Sequence, residues 1–174
     1  ISGIRSFTAL CSKIEGMVYL TIGEPDLDTP ELIKDEAKLA LDRNLTHYPP
    51  ALGITSLRDA IARFESGLYG EDITLDNIII TNGATEGLVL SMWTLFHEGD
   101  ALIQPTPGYT LYRSQASLSG ADVVYLDTIE DGFQINETKL RALVTNKTKA
   151  LILTSPNNPT GQILNQASID AVAN

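Results

Sequence analysis

The sequence is poor in the features that mark several classes of protein. Its 174 residues include one cysteine, Cys11, so no internal disulfide can form, and we interpret this residue as a small buried apolar side chain. Basic residues are few, with 12 Lys and Arg against 22 Asp and Glu and a formal net charge of -10. Such a chain would be repelled by nucleic acid or by an anionic membrane surface, so neither is expected as a partner.

Long apolar runs and metal-ligand clusters are missing as well. No stretch reaches the roughly 18 apolar residues of a membrane span, and the N-terminus has no basic region followed by an apolar run. The two histidines, His47 and His97, lie far apart without cysteine or acidic residues at ligand spacing, so no metal site is expected. Together with the single cysteine, these absences predict a cytoplasmic protein that is neither exported nor anchored.

The remaining composition, 43% hydrophobic, is that of a globular protein with a regular order of elements. Apolar runs predict strands at 78–81, 101–104, 123–126 and 150–154. Helical periodicity predicts helices at 1–17, 28–43, 56–68, 85–96, 109–118 and 137–144, with another beginning near 165. The alternation of strands and helices from residue 78 onward predicts an α/β fold, a mainly parallel sheet with flanking helices.

Two of these helices carry more specific expectations. Asp28 or Thr29 is expected to cap the helix that follows, with Pro30 at its first position. Apolar residues recur along one side of the helix at 56–68 and are expected to form its buried face: Leu57, Ala60, Ile61 and Phe64.

The segment 78–87 combines a strand, a tight turn of small residues and a helix start. The free N–H groups and the positive dipole end of a helix's first turn attract phosphate. Gly83 and Ala84 would let an anion approach the backbone, and the Thr85 hydroxyl adds a donor. The same turn occurs in many α/β proteins without any ligand. Neither Gly-x-Gly-x-x-Gly nor Gly-x4-Gly-Lys-Ser/Thr occurs, which disfavours ordinary dinucleotide and ATP binding.

Two rigid loops follow predicted strands, at the sheet edge where α/β proteins hold ligands. The loop 155–161, Ser-Pro-Asn-Asn-Pro-Thr-Gly, presents two amide side chains, which could bind a ligand or could bond only to their own backbone. The loop 105–109, Pro-Thr-Pro-Gly-Tyr, places the Tyr109 ring where it could stack on a planar ligand or pack into the core.

Taken together and in order, five segments resemble the class I/II aminotransferases, fold-type-I enzymes that depend on pyridoxal 5'-phosphate. The resemblance runs from about residue 1 to 161. The segments are Gly-Glu-Pro-Asp at 23–26, Tyr-Pro-Pro-Ala-Leu-Gly at 48–53, Thr-Asn-Gly-Ala-Thr-Glu at 81–86, Pro-Gly-Tyr at 107–109 and, most specific, the loop at 155–161.

The resemblance implies a role for each matching residue. The amides of Gly83, Ala84 and Thr85 would hold the cofactor phosphate. Tyr109 would stack on the pyridine ring, and Asn158 would donate to the phenolic oxygen. Gly23 would lie beside the substrate carboxylate. Tyr48 would reach the phosphate of a partner subunit, so the resemblance also implies a homodimer.

The resemblance also implies residues that this sequence lacks. In the family, the lysine that forms the Schiff base, the aspartate at the pyridinium nitrogen and the arginine at the substrate carboxylate all follow the Asn-Pro-Thr-Gly loop. The six lysines present are not in the Schiff-base context: Lys13, Lys34, Lys38, Lys139, Lys147 and Lys149. We therefore expect the N-terminal part of an aminotransferase, with residues 1–26 in a small domain, residues 27–174 in a partial cofactor-binding domain, and no activity alone.

Two alternatives stay open at this point. A β-lyase would use the same cofactor and fold for an elimination, and a non-catalytic fragment would keep the phosphate site without chemistry. For an aminotransferase, the substrates would be an amino acid and a 2-oxo acid. The sequence does not choose among aromatic, aspartate and acetyl-diaminopimelate types.

Overall fold

The computed structural model describes residues 3–20 and 23–174. Contacts between Cα atoms divide the chain into two compact units, Ile1–Pro49 and Pro50–Asn174. The assignment of residues 1–26 to a small domain stays a prediction.

The first unit contains two helices, α1 (Gly3–Cys11) and α2 (Glu31–Asp42). Helix α1 ends earlier than the expected residue 17, and the expected start at residues 1–2 lies outside the described residues. Cys11 is buried, as expected. The expected cap at Asp28 or Thr29 is wrong. Pro30 itself occupies the N-cap position, and its carbonyl accepts bonds from the amides of Ile33 and Lys34 at 3.0 and 3.2 Å.

The second unit contains the sheet and the helices around it. Its helices are α3 (Thr55–Tyr69), α4 (Gly83–Leu95), α5 (Thr110–Leu118), α6 (Glu137–Leu143) and α7 (Gln166–Ala173), with a 3₁₀ turn at Leu75–Asn77. Its strands are β1 (Ala101–Thr106), β2 (Asp122–Asp127) and β3 (Thr148–Leu151). No helix in residues 3–20 or 23–174 is both long and apolar enough to cross a bilayer.

The three strands form a parallel sheet in the order β2-β1-β3. Leu102 of β1 pairs with Val123 of β2 on one side and with Ala150 of β3 on the other. The expectation of a parallel α/β fold is therefore confirmed. Parallel strands joined by helices end at the same edge of the sheet, so the loops after β1 and β3 are neighbours.

One expected strand, at 78–81, is not part of this sheet. Ile78 is extended, with φ -113° and ψ 129°. The amide of Ile80, however, donates to the carbonyl of Leu52 in a connecting loop, at 3.0 Å. The run is also only half-buried, and Ile79 is 58% exposed, so its apolar composition does not place it in the sheet.

The central strand is buried on both faces, as parallel strands usually are. Leu102 packs with Met92, Phe96, Ala116 and Ala121 on one side. Its neighbour Ile103 is fully buried in a second cluster, whose other members are Leu126, Ile135, Leu140 and Ala171. Alternate residues of β1 thus pack against helices on both faces of the sheet.

Helix α3 turns a different face inward from the one expected. Leu57 is 44% exposed and Phe64 is 67% exposed, whereas Arg58 and Ala62 are buried. The buried face covers the 3₁₀ turn and the segment after it, where the carbonyls of Leu75 and Ile78 accept from Arg58, a contact that leucine cannot make. Periodicity identified the helix correctly but not what packs against it.

A polar network attaches α7 to the segment before α6. Ser168 is fully buried; its Oγ donates to Gln134 Oε1 and accepts from the Ile135 amide, both at 2.9 Å. The Asn165 side chain caps α7 by accepting from the Ser168 amide at 2.8 Å. Each of these buried polar groups is therefore paired, as folded proteins require.

A charged cluster closes the turn between β2 and α6. Lys139 Nζ donates to Asp131 Oδ2 at 2.6 Å, and Asn136 Nδ2 donates to Asp131 Oδ1 at 3.0 Å. The Lys139 hydrogen bond, followed by that of Asn136, lowers the pKa of Asp131 below its ordinary 3.8. The bond to Asp131 in turn raises the pKa of Lys139 above 10.5.

These shifts predict a pH-dependent contribution to stability. The Asp131 contribution is present above pH 3.8 and is lost as the pH falls through the lower pKa of the folded state. The Lys139 contribution is present below pH 10.5 and is lost above the folded-state pKa. In urea titrations, Lys139→Met should lower the free energy of unfolding at pH 7, with the deficit shrinking on acidification below pH 3.8. Lys147→Met, an exposed lysine, serves as the control, and an equal deficit for both variants would contradict the prediction.

Candidate functional site

The first turn of α4 is the predicted phosphate site. The Gly83 backbone is left-handed, with φ +77°, and Thr81 Oγ1 donates to the Gly83 carbonyl at 2.9 Å. The Gly83 amide is already bonded to the Thr81 carbonyl at 2.8 Å. The amides of Ala84 and Thr85 have no acceptor among the described residues and stand at an exposed helix N-terminus. Two of the three expected amides are therefore free for an anion.

An acidic residue in the same turn is already engaged. The Glu86 carboxylate accepts a hydrogen bond from the Asn82 amide, just before the helix. This contact satisfies one of the donors that a helix start leaves free. It leaves the amides of Ala84 and Thr85 as the ones that a ligand would meet.

The segment that precedes α4 is hydrogen-bonded to a side chain of α3. Arg58 is 6% exposed; its Nε donates to the Ile78 carbonyl at 2.8 Å and its Nη2 to the Leu75 carbonyl at 2.6 Å. The loop before α3 contacts the same segment, because a Cβ at Gly53 would lie 2.6 Å from Ile80 Cβ. The sequence placed Arg58 in the helix that supports the loop at 48–53, but it gave no signal that the Arg58 side chain is buried.

The direction of α4 places its first turn toward the sheet edge where the loops after β1 and β3 lie. Met92, near its C-terminal end, packs against Leu102 of β1. The short segment 96–100 then joins the end of the helix to the start of that strand. The helix therefore runs back along the sheet, with Ala84 and Thr85 toward the carboxyl edge.

Tyr109 stands at this edge, immediately before α5. Its side chain is 38% exposed, and its ring meets that of Tyr112 edge-to-face at a centroid distance of 5.5 Å. The Tyr112 hydroxyl is hydrogen-bonded to Thr154 Oγ1 at 3.0 Å. Tyr112 is thus the tyrosine that packs inward, and Tyr109 keeps part of its ring open to a ligand.

The two asparagines of the loop 155–161 differ in their surroundings. Asn157 Nδ2 donates to the Pro107 carbonyl at 3.1 Å and to Thr160 Oγ1 at 2.9 Å. Asn158 is exposed, and its side chain has no hydrogen-bond partner among the described residues. Asn157 therefore joins this loop to the one that carries Tyr109, while the amide of Asn158 is free. The sequence alone did not distinguish the bonded Asn157 side chain from the free Asn158 side chain.

The other two candidate residues belong to the first unit. Tyr48 is fully exposed, and Gly23 lies in an exposed segment without regular structure. The second unit thus contains Ala84, Thr85, Tyr109 and Asn158. The first unit contains Gly23 and Tyr48.

Between the two loops lies a cavity of about 20 Å³. Polar side chains on its wall are those of Gln104, Tyr112, Thr128, Thr154 and Asn157. This volume suits one water molecule and excludes a cofactor. A planar ligand would therefore lie outside the cavity, against the exposed Tyr109 and Asn158.

The second unit thus combines a parallel α/β architecture with a free helix N-terminus and two rigid loops toward one sheet edge. Residues 15–174 match the family described as aminotransferase class I and II. The chain belongs to this family.

Individual relatives agree with this assignment. The chain is 38% identical to an aspartate aminotransferase of Pyrococcus horikoshii over 173 residues, 99% of this chain and 44% of the relative. It is 38% identical to the aromatic-amino-acid aminotransferase 2 of Thermococcus litoralis, covering 99% and 45%. The solved structure of the Thermus thermophilus aspartate aminotransferase with maleate superposes with a TM-score of 0.92 at 33% identity, covering 99% and 47%. The chain thus spans a little under half the length of these relatives.

Proposed function

We propose that the whole protein is a pyridoxal 5'-phosphate-dependent aminotransferase that moves an amino group from an amino acid to a 2-oxo acid. The observation that carries this proposal is the free first turn of α4, which the fold directs toward the same sheet edge as Tyr109 and Asn158. Membership of the family supports it, and so do the names of the relatives, which describe aminotransferases of aspartate and of aromatic amino acids.

The donor groups of this chain fit the cofactor. The amides of Ala84 and Thr85 at a helix N-terminus suit a phosphate dianion, and a Cβ built at Gly83 meets nothing within 4 Å, so the turn is open to a ligand. Tyr109 offers an aromatic face to a pyridine ring. Asn158 offers an unpaired amide donor to a phenolic oxygen.

These residues would bind and orient rather than react. When bound, pyridoxal phosphate supplies an electron-withdrawing ring that stabilises negative charge on the substrate carbon. The amides of Ala84 and Thr85 would hold its phosphate beside the open turn at Gly83, and Tyr109 would fix the plane of the ring. Donation from Asn158 Nδ2 would favour the ionised form of the phenolic oxygen and so keep a proton off that atom.

The finer parts of the proposal concern assembly and location. We propose a homodimer in which Tyr48 reaches the phosphate of the partner subunit, and a substrate carboxylate beside Gly23. The complete exposure of Tyr48 supports the first role, because its hydroxyl is accessible to another chain. A cytoplasmic location is proposed from the single cysteine, because disulfides are rare in reducing compartments.

The test is cofactor binding by the protein expressed from its complete gene. After incubation with pyridoxal phosphate and borohydride reduction, the intact mass should increase by one pyridoxyl group per chain, and an amino acid and a 2-oxo acid should exchange nitrogen. Thr85→Val, which removes one hydroxyl donor to a charged group, should raise the cofactor Kd about 10- to 100-fold.

A matched control lies in the same helix. Thr94 is exposed, and its hydroxyl bonds only within α4, to the Leu90 carbonyl at 2.7 Å. Thr94→Val should leave the cofactor Kd unchanged. A wild-type protein that gains no mass at saturating cofactor would refute the proposed function. Pyruvate and free ammonia as the products would instead indicate a β-lyase.

A further inference from the structure

Gln104 is a buried polar residue at the base of the loop that carries Tyr109. It lies in the central strand β1, just after Ile103, and its side chain is 3% exposed. Neighbouring positions of the strand carry apolar side chains. A glutamine amide in such a place must be explained by its hydrogen bonds, because burial of unpaired amide groups is unfavourable.

The amide nitrogen of Gln104 has one partner, the backbone of Tyr109. Nε2 donates to the Tyr109 carbonyl at 3.3 Å, and the same carbonyl accepts from the Tyr112 amide, also at 3.3 Å. Gln104 therefore holds the residue from which α5 begins. The direction of the Tyr109 ring depends on this backbone position.

The loop lies in direct contact with Gln104. A Cβ at Gly108 would lie 2.9 Å from Gln104 Nε2 and 2.6 Å from the Pro105 carbonyl oxygen, so only glycine fits between them. Asn157 holds the opposite side of the loop through the Pro107 carbonyl. Two side-chain amides, from two different segments, thus fix the loop on both sides.

The amide oxygen of Gln104 is a cost that an apolar side chain at this position would not carry. Oε1 is buried without a hydrogen-bond donor among the described residues, and Gln104 lines the cavity of about 20 Å³. A leucine or methionine would fill the same place without an unpaired oxygen. Nε2 is therefore the group that gives glutamine an advantage here, while one water in the cavity would satisfy Oε1.

We propose that Gln104 is a positioning residue that fixes the Tyr109 backbone and thereby the plane in which the Tyr109 ring meets the cofactor. This role rests on the proposed function, because it assigns to Tyr109 the face of a bound pyridine ring. Gln104 itself acts only through Tyr109.

The test compares Gln104→Met with Ile103→Val in the protein expressed from its complete gene. Methionine keeps the length of the side chain and removes the donor, whereas Ile103→Val gives a mild core defect on the same strand. In the cofactor-free protein, hydrogen exchange at the Tyr112 amide should accelerate in Gln104→Met relative to Ile103→Val. Loss of one hydrogen bond should raise the cofactor Kd about 3- to 10-fold. The visible circular dichroism per bound cofactor, which depends on ring orientation, should also change only in Gln104→Met.

The outcomes separate the two proposals. If the wild type binds the cofactor and both variants behave alike in exchange, affinity and dichroism, the role of Gln104 is overturned and the proposed function stands. If the wild type binds no cofactor, the proposed function fails, and accelerated exchange in Gln104→Met would still show that Gln104 holds Tyr109.

Discussion

Replacing Gly53 with alanine is expected to lower the free energy of unfolding by about 2–5 kcal/mol, because two costs combine. The Gly53 backbone has φ +103°, a conformation that residues with a Cβ rarely adopt. The added Cβ would also collide with the side chain of Ile80, 2.6 Å from its Cβ. Relief of this collision must move Ile80, whose amide is bonded to the Leu52 carbonyl at 3.0 Å.

Gly67 in α3 provides a control of the opposite sign. It is exposed within the helix, and a Cβ there meets nothing within 4 Å. Gly67→Ala should therefore stabilise the protein by about 0.5–1 kcal/mol, because alanine is the better helix former. Urea titration of both variants measures the difference. Equal effects of the two substitutions would mean that the loop at Gly53 adapts without strain.

Replacing Arg58 with methionine is the second change expected to have a large effect, a loss of about 2–4 kcal/mol in the free energy of unfolding. Methionine retains the apolar stem but removes the donors to the Ile78 and Leu75 carbonyls. The Asp76 carboxylate, 3.8 Å from Arg58 Nη2 and 87% exposed, contributes little because it is solvated. The cost therefore arises mainly from the Ile78 carbonyl, which loses its donor, because the Leu75 carbonyl still accepts from the Ile78 amide at 3.2 Å.

The same substitution five residues later isolates this effect. Arg63 is an exposed residue of α3 that pairs with Asp59 one turn earlier. Arg63→Met should cost only about 0.2–0.5 kcal/mol, the usual value of such a pair on a helix surface. If both arginine variants lose the same stability, Arg58 does not support the segment as described. A separate cofactor titration of Arg58→Met measures whether the first turn of α4 also moves, because a displaced turn would change the cofactor Kd.

Local patterns predicted most of the elements. Periodicity placed helices at 85–96 and 109–118, close to the observed α4 and α5, and apolar runs indicated the three strands of the sheet. These features depend on neighbours within a few residues, so a sequence reports them directly. The ordered motifs likewise identified the family, which the match over residues 15–174 confirms.

What the sequence did not predict depends on partners far along the chain. The run at 78–81 has the composition of a strand, yet a loop and Arg58 supply its hydrogen bonds. Asn157 and Asn158 are adjacent and chemically identical, but Asn157 alone bonds to Thr160 and to the Pro107 carbonyl, fifty residues earlier. Gln104 read as an ordinary strand residue for the same reason. The roles of Gly83, Ala84, Thr85, Asn158 and the other candidate residues stay predictions.

The hydrogen bond from Asn157 to the Pro107 carbonyl joins two turns that follow different strands of this chain. The bond couples the turn after β1 to the turn after β3, because neither turn can shift without breaking the bond or moving the other. Transplanting one of them alone from a distant homologue would leave its counterpart mismatched. A substitution that shifts one of the two turns is therefore expected to shift the other as well.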